Sequence, residues 1–509
     1  MFEVEKECLN AYRTHLFDPK RGLSAGMNRK GLPKQDEMRR VLAAVLKRVT
    51  PKTDERAKIR FLARKLERKV TLASKQLGVR AKVRVEGSVA KDTWLSHEPD
   101  VDVFMRVPTS IPRESLGEVC LKVAKEATYG SEQIERFAEH PYLEAFVDGT
   151  RVNIVPCYVA KRGEWLSATD RTPFHSDYIN RNLDVKMRGQ VRLLKKFMKG
   201  IGAYGAEIKV GGFSGYLCEL LVLHYGSFSE AVDAFAKHKQ RMVIDIENFY
   251  ANRQREVDLL FDDPLVVVDP VDKARNVASA VRKQNLYTFI AAAQAFVKGP
   301  SLNFFYPPAT IPMNARKMRE ELKKRRQGPT IVFVTFGRVD AVPDILWGQL
   351  YKSLRSMHKL VSLSDFSLLR DFAWSDEKGL NVFGFELEHC FIPQVKKHLG
   401  PPLEKEGECE KFLLKHQNAS RTVSGPYVED GRWVVQVRRN YTDACALLRE
   451  KLKDGGKNAG VAEGISQVLK KGFDVFVNEE VVKVYEKNNE FAEFLTDFLS
   501  GKPKWLEAA

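Results

Sequence analysis

Apolar positions recur at helical spacing through residues 54–77, where Ile59, Leu62, Ala63, Leu66, Val70, Ala73 and Leu77 fall on one stripe. Thr53 is the expected N-cap, Asp54 and Glu55 suit the first turn, and Gly78 is the stop. The period then drops to two. Val83 and Val85 mark a short strand that runs into Gly87-Ser88, and a one-turn helical segment carries Lys91, Asp92 and Trp94. A second strand sets Asp100 and Asp102 on one face with Val101 and Val103 on the other. A helix near 114–128 follows. LEAFV and TRVNIVPCY then flank Asp148-Gly149, a strong two-residue hairpin signal. The returning strand alternates Val152 and Ile154 with Asn153 and Val155, and its expected place is beside the Asp-x-Asp strand.

Beyond residue 180 the pattern is mostly helical. Residues 172–179 link the sheet to a helix at 189–200 with Val191, Leu194 and Met198 on its stripe; Lys195 lies near the stripe's edge, where a solvated lysine is the ordinary reading. Tyr204 sits in a glycine-flanked turn, and 211–228 reads as a buried helix after a glycine-rich entry. Residues 269–278 read as a turn opening a helix that runs to about 297, with Asp272 as its cap and Arg275 in its first turn. Residues 301–415 look α+β: a basic helix at 315–326, an alternating strand at 331–336, a helix around 344–361 and a strand at 381–387. The stretch 416–509 carries Trp433, Arg438, Arg439 and Tyr441 on a strand, a mix that suits nucleic acid or, equally, a core tryptophan beside surface arginines. Residues 1–37 are polar and basic, without a secretory-type apolar core.

Composition narrows the class. A chain of 509 residues holds about three or four domains. No apolar run is long enough for a membrane span. Seven cysteines, dispersed singly, point to a reducing compartment such as the cytoplasm and against a zinc ribbon, and the ten histidines show no metal spacing. The net charge of +17 favours an acidic polymer, most simply nucleic acid, as partner.

The candidate chemistry lies in 83–107. Two carboxylates on one strand face repel unless a cation lies between them, and hard oxygen ligands suit Mg²⁺, which fills its shell with water and phosphate. Gly87 permits close backbone approach and Ser88 offers a donor to phosphate. The spacing reads as a metal-dependent nucleotidyl-transfer site. A third metal ligand is expected from the neighbouring strand, where the chain offers Asn153.

GSVAKDTW, Asp100-x-Asp102, RVNIVPCY, RTPFH, VRLLKKF, AYGAE, GFSGYLCELL, DPVDKARNVA, GRW and GKNAG occur in an order that resembles the archaeal, class I CCA-adding enzymes (tRNA nucleotidyltransferases), from about residue 40 to about 490. The resemblance implies a multidomain α+β protein. A polymerase-β-type nucleotidyltransferase head would span 41–180, a helical neck 181–300, an α+β body 301–415 and an α/β tail 416–509, with 1–40 as an extension outside the family pattern. It implies addition of C, C and A to the 3′ end of tRNA from CTP and ATP with Mg²⁺ at a two-metal site and no nucleic-acid template. The tail would hold the acceptor and T arm, and a homodimer paired through it is an option. Asp100 and Asp102 match the catalytic metal-binding carboxylates, and Ser88 the triphosphate serine. Lys91 stands where the family has arginine. Thr172 and His175 resemble nucleotide contacts, Lys195 and Tyr204 phosphate contacts, and Arg275 the arginine that helps read the base.

One departure matters. The family has aspartate where this chain has Asn153. Asparagine keeps the shape and loses both charge and basicity, so nucleotide binding should survive while chemistry slows. Three explanations stand: an engineered change that traps substrates, a natural loss that leaves a tRNA-binding protein without catalysis, or another carboxylate in its place. Asp148 is near in sequence but falls in the hairpin turn. A poly(A)-type polymerase is the other enzyme reading.

Overall fold

The computed structural model describes residues 34–506 except 138, 239, 326 and 327. The expected arm therefore lies outside the described residues up to 33. From Lys34 the chain is already a helix, α1 (Lys34–Val49), which the sequence pattern did not mark. The described residues divide into two compact units, 34–308 with 503–506, and 309–502.

In the first unit α2 (Thr53–Gln76) buries the predicted stripe from Ile59 to Ala73. Leu77 is half exposed, and Lys52 rather than Thr53 is the N-cap. The helix stops at Gly78, whose φ of +68° suits a residue without a side chain. Next come β1 (Lys82–Glu86), the single turn α3 (Gly87–Ala90), β2 (Asp100–Val107), α4 (Arg113–Ala127), β3 (Glu132–Phe137), β4 (Pro141–Val147) and β5 (Thr150–Tyr158). The five strands form one sheet in the order β1-β2-β5-β4-β3. Only the β2–β5 pair is parallel. Asp148 and Gly149 both have positive φ, as a two-residue primed turn requires. Val101, Val103, Val152, Ile154, Leu143 and Ala145 face a core shared with α2 and α4. The alternate positions form the other face, which carries the chemistry.

The rest of this unit is α5 (Thr172–Asn182), α6 (Val185–Gly200), α7 (Gly215–Tyr225), α8 (Phe228–Ala236), β6 (Met242–Ile244), α9 (Gln254–Leu260), β7 (Leu265–Asp269), β8 (Asp272–Asn276) and α10 (Lys283–Lys298). Asp184, Ser214 and Ser227 cap α6, α7 and α8 through their side chains. A stack of phenylalanines, Phe197, Phe228, Phe296 and Phe305 among them, fills the space between these helices.

The expected helix start at 269–278 is a β-hairpin instead. Leu265–Val268 is a fully buried run with three β-branched valines, Asp269 Oδ1 accepts from Val271 N (3.1 Å) to close the turn, and Asn276 Oδ1 accepts from Val267 N and Ala278 N to close the ladder. Arg275 therefore lies on a strand, and Asp272, expected as a helix cap, pairs with Arg171 (2.7 Å). The helix begins only at Lys283.

The second unit contains α11 (Ala315–Lys324), β9 (Thr330–Phe336), α12 (Pro343–Leu363), β10 (Leu368–Ser375), β11 (Asn381–Leu387), β12 (Val395–Pro402), α13 (Glu406–His416), β13 (Thr422–Glu429), β14 (Arg432–Arg438), α14 (Ala444–Leu452), α15 (Glu463–Lys471), β15 (Phe473–Val477), α16 (Val482–Tyr485) and α17 (Asn489–Ser500). One sheet runs β10-β11-β9-β15 and a second β12-β14-β13. Helices cover both faces of the first, so β9 is buried at every position rather than alternating. Both sheets pair strands from either side of residue 415, so the expected body and tail are one compact unit. The basic helix α11 buries Met318 and Leu322 and leaves its charged face outward. Arg439 is spent on Asp365 (3.3 Å) and on the carbonyls of Pro393 and Val395. Tyr441 donates to Glu450 (2.5 Å), and Arg438 is exposed. The cysteines are not all isolated: the Cys390 and Cys445 thiols meet at 3.7 Å. No helix among the described residues is long and apolar enough to cross a membrane.

Candidate active site

The site is built on the polar face of the five-stranded sheet. Gly87, at φ +70°, turns the chain from β1 into α3, and a Cβ there would lie 2.1 Å from Asp102 Oδ2. The missing side chain is the space the carboxylate uses, which explains the glycine before Ser88. In β2, Asp100 and Asp102 project to the same side; Asp102 is paired in register with Asn153 of β5. Burial pushes Asp102 up to about 6, against the Asn153 hydrogen bond and with help from the charge of Asp100. Burial also raises Asp100, with Arg151 opposing. Two carboxylates held this way gain from a cation. The Asn153 amide donates to Asp102 Oδ1 (2.9 Å), and its own Oδ1 is buried without a partner. An orphaned acceptor beside two carboxylates fits a hard divalent ion, with Asp100, Asp102 and the Asn153 carbonyl as its protein oxygens.

Beside the carboxylates lies a buried cationic cluster. Lys91, expected near the phosphates, is 6% exposed and donates to Glu219 Oε2 at 2.6 Å. Lys195 is 2% exposed, so it is no solvated lysine; it donates to Glu219 Oε1 (3.2 Å) and to Thr93 Oγ1 (3.0 Å). Glu219 has no exposure at all, and although burial pushes it up, the two lysines hold it below its ordinary value. Burial pulls Lys195 down. Two lysines share one glutamate, so a positive charge is left over in a dry place, the arrangement a triphosphate rewards. Tyr204 reaches the same point: a Cβ on Gly215 would lie 3.1 Å from its hydroxyl and 3.3 Å from Lys195 Nζ.

A third cluster centres on Asp269. It accepts from His175 Nε2 (2.9 Å), Arg275 Nη1 (2.8 Å) and Tyr216 (3.1 Å). Burial opposes its ionisation, but His175 and Arg275 bring it down to about 2. Burial lowers His175, whose ring stacks on Tyr216 at 4.1 Å. Thr172 opens α5 three residues before His175 and is half-buried, with Arg171 beside it on Asp272.

Buried arginine holds these parts together. Arg192 of α6, 3% exposed, donates to the carbonyls of Trp94 (2.9 Å) and Asp92 (2.6 Å) and to the Asp92 carboxylate (2.7 Å). Arg84 pairs with Asp177 of α5 (2.6 Å). The fold thus brings together Lys91, Asp100, Asp102, Asn153, Lys195 and Tyr204 and sets His175 and Arg275 on Asp269, while Ser88 lies in α3 next to Gly87 and Thr172 at the start of α5.

Glu219, Asp269, Thr93 and Tyr216 complete these clusters and were not singled out in the sequence. Glu219 carried a signal: one acid in the apolar run GYLCELLVLH has to be paired when that helix is buried. Asp148 is excluded as a substitute ligand, since it lies in the turn and pairs with Lys65 at 3.0 Å.

Paired carboxylates on a sheet of this topology, with cations converging beside them, define a polymerase-β-type nucleotidyltransferase. Residues 66–177 match the nucleotidyltransferase domain family, 189–306 the second domain of tRNA nucleotidyltransferases and 327–478 the C-terminal domain of CCA-adding enzymes. The chain is 36% identical to the CCA-adding enzyme of Methanosarcina barkeri over 446 residues, covering 87% of this chain and 95% of that one. It is 35% identical to that of Methanothermobacter thermautotrophicus over 464 residues, 90% and 97% of the two chains. With the Halobacterium salinarum CCA-adding enzyme it shares 36% over 445 residues, 87% and 95%. The chain belongs to the archaeal CCA-adding enzymes, the class I tRNA nucleotidyltransferases.

Proposed function

We propose that this chain adds C, C and A to the 3′ end of tRNA from CTP and ATP, with Asp100 and Asp102 as the principal ligands of divalent cations. The observation that carries the reading is the meeting of that carboxylate pair with the buried Lys91–Glu219–Lys195 cluster. Magnesium bound there would lower the pKa of the attacking hydroxyl and stabilise charge on the α-phosphoryl group. Ser88, Lys91, Lys195 and Tyr204 hold the triphosphate, the two hydroxyls by hydrogen bonds and the two lysines by charge that counters the leaving pyrophosphate. Thr172 and His175 position the nucleotide. Arg275, braced by Asp269, keeps donors for the ring-nitrogen acceptors of cytosine and adenine. The 3′-hydroxyl attacks the α-phosphorus in line and loses its proton to solvent water, the new O–P bond forming as the bond to pyrophosphate breaks.

Asn153 is the weak point: its amide donates to a carboxylate oxygen that the cation needs. Turnover is therefore slower than an aspartate at this position allows, and Asn153→Asp raises it by about tenfold or more, each ~1.4 kcal/mol of barrier being a factor of ten. Labelled CTP and ATP with tRNA transcripts lacking CCA test the reading. Stepwise addition of C, C and A, then arrest, supports it; extension by ATP alone past one adenosine points to a poly(A)-type enzyme. Tight tRNA binding with no pyrophosphate released by this chain or by Asn153→Asp makes it a binding protein on the same frame.

A further inference from the structure

We infer that Glu144 supplies, toward the cation site, the third carboxylate charge that position 153 lacks. The register carries the argument. Asp102 pairs with Asn153 across β2 and β5, and Asn153 pairs with Glu144 across β5 and β4. Residues directly opposed on neighbouring strands project to the same face, so the three form one row. Strands lie about 4.8 Å apart, and glutamate reaches one methylene further than aspartate. The charge absent from β5 stands one strand over, at the same level.

Glu144 has the marks of a group held for use. It is 5% exposed, and a carboxylate so buried persists only when paired. Its partners are Arg136 (2.8 Å) and Arg151 (3.0 Å). Arg151 also lies 3.9 Å from Asp100, so one guanidinium links Glu144 to the catalytic pair. The charge of Glu144 is felt at Asp100, where it favours the protonated form. Arg151 stands between Glu144 and Asp100. A divalent ion held by Asp100 and Asp102 would compete with that guanidinium and leave the charge of Glu144 facing the site.

Two other carboxylates lie near the row. Glu86 is opposed to Asp102 from β1 and is fully buried with Arg84 3.0 Å away, but it lies on the side of β2 away from Asn153, where the charge is missing. Asp148 is in the turn on Lys65.

The inference rests on Asp100 and Asp102 being the cation site, and the experiment keeps the two apart. Mn²⁺ affinity is measured by the electron paramagnetic resonance signal of free Mn²⁺ for the full chain, Glu144→Gln, Asn153→Asp and the double variant, with CCA addition in parallel. Glu144→Gln is expected to loosen Mn²⁺ by about tenfold, equal to ~1.4 kcal/mol. In the Asn153→Asp background the same change should cost less than about threefold, because the carboxylate is back on β5. Glu144→Asp, which keeps the charge, should fall between. Unchanged Mn²⁺ affinity in Glu144→Gln overturns the inference. An equal loss in both backgrounds also overturns it, since a merely structural role is not rescued by a carboxylate at 153. Arg136→Met breaks the outer ion pair and spares the carboxylate; Mn²⁺ binding kept there and lost in Glu144→Gln supports it even where thermal stability falls in both. If Asp102→Asn retains full Mn²⁺ affinity, the reading of the cation site fails instead.

Discussion

At the scale of single residues, the decisive groups are charges placed where water cannot reach them. Glu219 holds two lysines without any exposure, and breaking such a pair from one side leaves uncompensated charge in the interior. Glu219→Gln is expected to destabilise the first unit by about 3 kcal/mol and to raise the KM for nucleotide, checked by thermal unfolding and by initial rates. Asp102 supplies a pH dependence. Its folded pKa, about 6, lies above its ordinary value of 3.8, so the folded state favours the protonated acid. That preference is fully present below pH ~4 and is lost as pH rises to about 6, where the ionised acid becomes available to a cation. Divalent cation should therefore raise the melting temperature at pH 7.5 and much less at pH 5, and the rate of addition should fall as pH drops through 6; equal protection at both pH values contradicts this. Of the candidate site, Ser88, Asp100 and Asp102 stand out by spacing and Asn153 by its place on the expected neighbouring strand, while Lys91, Thr172, His175, Lys195, Tyr204 and Arg275 stand out only through the resemblance. Their partners do not. Nothing in a linear pattern says that Lys91 and Lys195 meet the same glutamate, because that depends on Glu219 of α7 reaching both Lys195 of α6 and the segment Lys91–Thr93 after α3.

At the scale of elements, periodicity carried the reading where one period ran long enough. The α2 stripe, the alternation in β1 and β2 and the Asp148-Gly149 turn all emerge from it. It failed at 269–278, where Asp-Pro-x-Asp imitates a helix start. The β-branched run before it makes a strand, and side-chain caps on both sides of the turn close a hairpin. It failed again at β9, which reads as alternating yet is covered on both faces. Close approach between elements gives a sharp expectation at the end of α6. A Cβ on Gly200 would lie 2.1 Å from the carbonyl oxygen of Phe304, which is backbone and yields little. Gly200→Ala should cost about 1–3 kcal/mol, read as a lower denaturant midpoint with an unchanged slope. A variant as stable as the parent contradicts that contact.

At the scale of the whole molecule, the chain carries a net charge of +17, and its family's substrate is a polyanion. Affinity for tRNA should fall linearly with the logarithm of salt concentration, and a flat dependence contradicts a phosphate-led interface. The two units were legible unevenly. The split near 308 follows the end of the aromatic core. The expected boundary at 415 dissolves because β14 and β15 return to pair with β12 and β9, pairings that local sequence does not announce.

The proposed nucleotidyltransferase centre on Asp100 and Asp102 is expected to add C, C and A despite Asn153. The most direct measurement is stepwise incorporation of labelled CTP and ATP into tRNA transcripts ending before CCA, before the final C and before the final A. The parent chain and Asn153→Asp are run side by side. The expected result is C, C and A in order and then arrest in both, with the aspartate variant faster by about tenfold or more. Failure of both to add any nucleotide while tRNA still binds would contradict it.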